Sequence, residues 1–131
     1  MKILKFLQIA FIAISPIFAQ AQCATIDQIS NRDEIEEACV LYRNHLRNDN
    51  IEKALNYWTK VYTHAPALNG RYNYVYSDGR ALYTLRFNNT RKRKEKKYYA
   101  EFVFRLYEQE KICFPGREIE PIASEILNYK F

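Results

Sequence analysis

Between Ser30 and Pro66 the apolar residues recur at every third or fourth position in two successive runs, and no other feature constrains the chain as much. In the first run Ile35, Ala38, Leu41, Tyr42 and Leu46 form one stripe, while Glu36, Glu37, Arg43 and Arg47 take the other side. That spacing belongs to an amphipathic α-helix, because about 3.6 residues per turn bring those positions onto one face. Ser30 and Asp33 resemble a capping box at its start. Asn48-Asp49-Asn50 then supplies turn formers and a cap for the second run, which passes through Ala54, Leu55, Trp58, Val61 and Tyr62 and stops before Pro66. Proline lacks the amide donor and disfavours helix in the residue before it. Two helices joined by so short a polar turn must pack antiparallel.

The second half offers two local readings. Tyr72, Tyr74 and Tyr76 alternate with other residues, Asp78-Gly79 is a hairpin turn signal, and Ala81, Tyr83, Leu85 and Phe87 alternate again. The same stretch also carries a helical stripe of Tyr72, Val75, Tyr76, Gly79, Leu82, Tyr83 and Arg86. A lone hairpin needs a third strand, which no other segment offers, so helix is the expectation. After Pro115-Gly116, the residues Ile119, Ile122, Ala123, Ile126 and Leu127 point to a further amphipathic helix over about 118–129. Its apolar face must fold back, meet another chain or belong to a longer parent.

The extreme N-terminus reads as processing rather than fold. Met1 to Lys5 carries Lys2 and Lys5, Phe6 to Phe18 is a mostly apolar run, and Ala19-Gln20-Ala21 supplies small residues for a signal peptidase. Residues 1–21 are therefore expected to be a signal peptide, leaving one domain over 22–131 in an exported protein without a transmembrane helix. Gln22 before Cys23 does not suit lipidation. Export permits disulfides, and three cysteines, Cys23, Cys39 and Cys113, allow one intramolecular bridge with one thiol over. Which pair forms is open at this level. No cysteine spacing forms a zinc motif, and His45 and His64 do not complete one, so neither metal nor cofactor is expected.

Charge is concentrated. The whole chain has a formal charge of +5, while Arg91, Lys92, Arg93, Lys94, Glu95, Lys96 and Lys97 alone hold six cations against one carboxylate. This is a basic loop on an otherwise nearly neutral body, suited to solvent or to an anionic partner. Export disfavours nucleic acid. Asp33, Glu34, Glu36 and Glu37 cluster, but in the first turn of a helix, where acids favour the dipole. With no nucleophile, P-loop or metalloprotease motif, catalysis is not expected.

From Ile35 onward the first hairpin resembles a tetratricopeptide repeat (TPR). Leu41 falls at the large apolar position of the first helix, Ala54 at the small position of the second, Trp58 at its aromatic wedge and Pro66 at the closing proline. Tyr42 and Val61 stand where that family favours small residues. Val103, Tyr107 and Pro115 repeat the separations of Ala54, Trp58 and Pro66, and Gly79 lands where the opening helix of a second unit must be thin. Cys39-Val40-Leu41-Tyr42, Val75-Tyr76-Ser77-Asp78-Gly79 and Leu106-Tyr107-Glu108 are similar to exported TPR proteins of Gram-negative bacteria. The resemblance implies an all-α chain of stacked antiparallel hairpins in a short solenoid. Repeat one would span about 35–68. Repeat two, about 72–116, would be expanded by an insertion containing the basic loop. It implies a non-catalytic protein-binding scaffold of the periplasm or cell envelope, with Cys39, Arg43, Leu46 and Arg47 facing a concave groove. The second reading is a polyanion or envelope-surface module using residues 91–97.

Overall fold

A computed structural model describes residues 23–130, so the expected signal peptide lies outside the described residues. Among the described residues the chain is all-helical, with one isolated bridge pairing Thr25 with Leu68. The helices are α1 (Arg32–Arg47), α2 (Ile51–His64), α3 (Tyr74–Asn89), α4 (Arg93–Cys113) and the single turn α5 (Ser124–Leu127). None is long and apolar enough to cross a membrane.

Helices α1 and α2 pack against each other, as do α3 and α4, and α2 bears on α3. The turn at 48–50 works as its residues dictate: Asp49 takes φ 56°, and the Asn50 side chain accepts from the Lys53 amide at 3.4 Å. Ser30 does not cap α1. That helix starts at Arg32 behind Asn31, and no side chain caps it. Helix α2 stops at His64, ahead of the buried Pro66.

The stripes meet in one aromatic seam. Trp58 is fully buried and donates its indole N–H to the Val75 carbonyl at 2.8 Å, which ties α2 to α3. Tyr62 stacks on it at 4.8 Å, and Tyr83 and Phe102 meet it edge-on from α3 and α4. Gly79 is what lets the indole lie this close. A Cβ there would overlap the ring and sit 3.0 Å from a methyl of Leu106. The helical reading of 72–87 holds, because a glycine facing a buried indole serves as close-packing surface instead of a turn.

Four expectations need correction. Leu41 and Tyr107 are half-exposed, and their neighbours Tyr42 and Leu106 take the fully buried places instead. Pro115 is exposed, unlike Pro66. The extra length of the second hairpin is not a loop: three residues, 90–92, join α3 to α4, and the added residues lengthen α4 to 21 against 14 in α2. The segment 118–129 is not a helix but mainly extended chain ending in the four-residue α5. Prolines explain this in part, since Pro121 restricts the residue before it to extended backbone.

The C-terminal segment folds back. Ile126 is 1% exposed against Phe87, Ala100 and Val103, forming a second, smaller core that covers the far side of the α3–α4 hairpin. At the other end, the Ile26 amide bonds the Leu68 carbonyl at 2.7 Å and the Ala67 amide bonds the Ala24 carbonyl at 3.1 Å. Cys23 is bridged to Cys113 at the end of α4, across 90 residues of sequence, and Cys39 is the buried free thiol.

Candidate functional site

The inner face of the two hairpins is built around Asp78 of α3. Tyr42 donates its hydroxyl to the Asp78 carboxylate at 2.8 Å, and Arg43 Nε lies 3.7 Å from the same oxygen. The Arg43 guanidinium rests 4.3 Å above the Tyr74 ring, and Tyr74 Oη is 3.9 Å from Cys39 Sγ. Successive turns of α1 thus meet successive turns of α3, because Cys39 and Arg43 are four residues apart, as are Tyr74 and Asp78.

Burial sets the protonation of this cluster. It raises the Asp78 carboxyl above its ordinary value, against the opposing pull of the Tyr42 hydrogen bond and Arg43. It raises the Tyr42 hydroxyl strongly, with Asp78 adding to the effect, and pushes Tyr74 up to about 12. The Cys39 thiol is raised for the same reason, so it stays protonated and is a poor nucleophile. The cluster holds two helices in register and offers no activated group.

Of the expected groove residues, Cys39 is buried, Arg43 and Leu46 are half-exposed, and Arg47 is exposed. Arg43 reaches across to Asp78 rather than along its own helix. Cys39 and Tyr74 border a cavity of about 450 Å³ that also touches Val40, Leu68 and Arg32. Val40, 69% exposed, lines it, and Tyr72, 56% exposed, stacks on Tyr74. The first-turn acids serve α1 itself or its neighbours: Arg32 bonds Glu36 at 2.8 Å, and Lys60 lies 3.6 Å from Glu34.

The basic residues are not a loop. Only Arg91 and Lys92 lie in the connection, whereas Arg93, Lys94, Lys96 and Lys97 sit in the first turns of α4. These cations occupy the positive end of a helix dipole, which is unfavourable by about 0.3–1 kcal/mol each near the terminus. Lys96 is anchored, donating to the Phe87 carbonyl at 2.8 Å with its ammonium 4.0 Å above the Phe87 ring.

A buried ion pair escaped the sequence reading. Arg80 Nη2 lies 3.3 and 3.2 Å from the two oxygens of Glu110, a residue with no exposed surface, and Arg80 Nη1 donates to the Glu120 carbonyl at 3.1 Å. Burial raises the Glu110 carboxyl, while Arg80, Asn73 and Arg117 pull it back down. The available signal was positional: Glu110 continues the stripe of Val103 and Leu106, and Arg80 lies one turn beyond Tyr76. The pair tethers the extended C-terminal segment to the second hairpin.

Among the described residues no three His, Cys, Asp or Glu side chains come together as a metal site. No protein-family model, curated protein or solved structure matches the chain.

Proposed function

We propose that the chain is a non-catalytic interaction scaffold of TPR type, exported to the envelope of a Gram-negative bacterium, that binds a partner polypeptide along the α1/α3 face. The observation that carries this reading is the side-by-side placement of α1 and α3 through the Arg43, Tyr74 and Asp78 cluster. It leaves Val40 and Arg47 of α1 exposed, with an adjoining cavity of about 450 Å³ lined by Val40 and Tyr74. First helices aligned in this way are the geometry by which helical repeats offer a groove to a peptide or helix. A disulfide linking Cys23 to Cys113 is in keeping with an oxidising compartment.

A photo-crosslinking amino acid at Val40 or at Tyr72, which is exposed and stacks on Tyr74, introduced in the native host, should trap the same polypeptide. One at Asn56 on α2 should not, and Arg47→Glu should diminish the adduct. Equal trapping from all three positions, or from none, rejects the groove.

A further inference from the structure

A cavity of about 730 Å³ opens between the start of α4 and the chain following α5, lined by Arg91, Arg93, Lys96, Lys97, Asn128 and Tyr129. No carboxylate side chain stands among those lining residues. It shares no residue with the α1/α3 face.

The two walls of this cavity are fixed by the same buried ring. Phe87, 3% exposed, holds Lys96 through its carbonyl and its face, and Tyr129 packs edge-on against it at 5.3 Å. One wall therefore carries a positioned ammonium, and the other brings an amide and a phenol from residues more than thirty positions away. Glu95, the only acid between 91 and 97, is drawn elsewhere: it accepts from Thr90 Oγ1 at 2.5 Å and lies 3.7 Å from Lys92 Nζ. Among the described residues neither Arg91 nor Arg93 has an ion-pair partner. The fold has thus gathered cations around a concavity, and the one carboxylate of residues 91–97 is engaged with Thr90 and Lys92.

We propose that this cavity binds a compact anion bearing more than one phosphoryl group. Arginine presents a planar fork of donors that matches phosphate oxygens, and charge-assisted hydrogen bonds to such oxygens are among the strongest a surface makes. Asn128 and Tyr129 add neutral donors on the opposite side. The cations converge on one cavity instead of running along a stripe, which favours a compact polyanion over an extended acidic peptide. Bound anion also relieves the mutual repulsion of the lining cations and their conflict with the α4 dipole.

The test is calorimetric titration of the oxidised protein with sodium tripolyphosphate at about 150 mM salt. A parallel assay measures co-sedimentation with vesicles containing cardiolipin, whose headgroup bears two phosphates, against phosphatidylcholine vesicles. Saturable binding is expected, weakened about tenfold or more in Arg91→Ser/Arg93→Ser. Lys53→Ser, which removes an exposed cation on α2, should leave it unchanged, and every variant should melt no lower than the parent. Tyr129→Phe should weaken binding while preserving the packing on Phe87. Binding of tripolyphosphate without vesicle sedimentation assigns a soluble phosphate. Sedimentation that tripolyphosphate competes away assigns a lipid headgroup. The proposal is overturned if neither probe binds, if Lys53→Ser weakens binding as much as the double variant, or if polyglutamate binds as well as tripolyphosphate.

Discussion

Gly79 and Trp58 form one packing unit. Gly79→Ala would drive a methyl into the indole, and the neighbouring Leu106 methyl at 3.0 Å leaves it no escape. Overpacking of this kind costs about 1–3 kcal/mol, and Trp58→Ala, which empties the seam instead, about 3–5 kcal/mol. Urea unfolding of both variants should show the two losses, with the double variant less destabilised than their sum because the alanine methyl fills part of the vacated space. Protonation offers a second test. Burial holds Asp78 above 3.8 and Glu110 above 4.5, the values these groups carry in an unfolded chain. As pH rises past those values the unfolded chain loses these protons first, so the folded state holds more protons and its stability falls. Asp78→Asn together with Glu110→Gln should flatten the decline that sets in above those values, while lowering stability at neutrality. A slope identical to the parent's would show that other groups set it.

At the scale of elements, the second hairpin departs most from its sequence expectation. Its added residues extend α4, so the basic run becomes helix and its cations meet the positive end of the dipole. Lys94 is exposed in the first turn of α4, and Lys94→Glu should raise stability by about 0.3–1 kcal/mol at low salt. Chemical denaturation at two ionic strengths reads this directly: the gain should shrink as salt rises. A loss of stability would mean that the first turn of α4 is held by something other than its backbone electrostatics. The C-terminal segment shows the same interplay. Its apolar residues suggest a helix, yet only Ile126 finds a deep seat, and Pro121 and the Arg80 contact to the Glu120 carbonyl hold the preceding stretch extended.

For the whole molecule, the bond between Cys23 and Cys113 closes nearly the entire described chain into a loop, with a sequence separation of 90. Loop-closure entropy on that scale contributes about 4–5 kcal/mol, chiefly by restricting the unfolded chain. Reduction should therefore lower the melting temperature markedly while the far-ultraviolet circular dichroism below the transition stays helical. Unchanged melting on reduction would show that the bridge adds nothing to folding. Cys39, buried with its thiol raised, should react with a thiol reagent only as the protein unfolds.

The first two helices, the helical state of the stretch after Asn73 and the buried place of Trp58 were legible in the sequence because they follow from local period and from residues that stop helices. Gly79 was legible too, since a helix that must approach an indole can carry no side chain there. The partner of each cysteine, the Arg80 and Glu110 pair, the meeting of Tyr42 and Arg43 with Asp78, and the return of Ile126 onto Phe87 were not. These contacts join residues at least 30 positions apart. No local periodicity encodes such distances; they arise only when two hairpins have stacked and their faces have found one another.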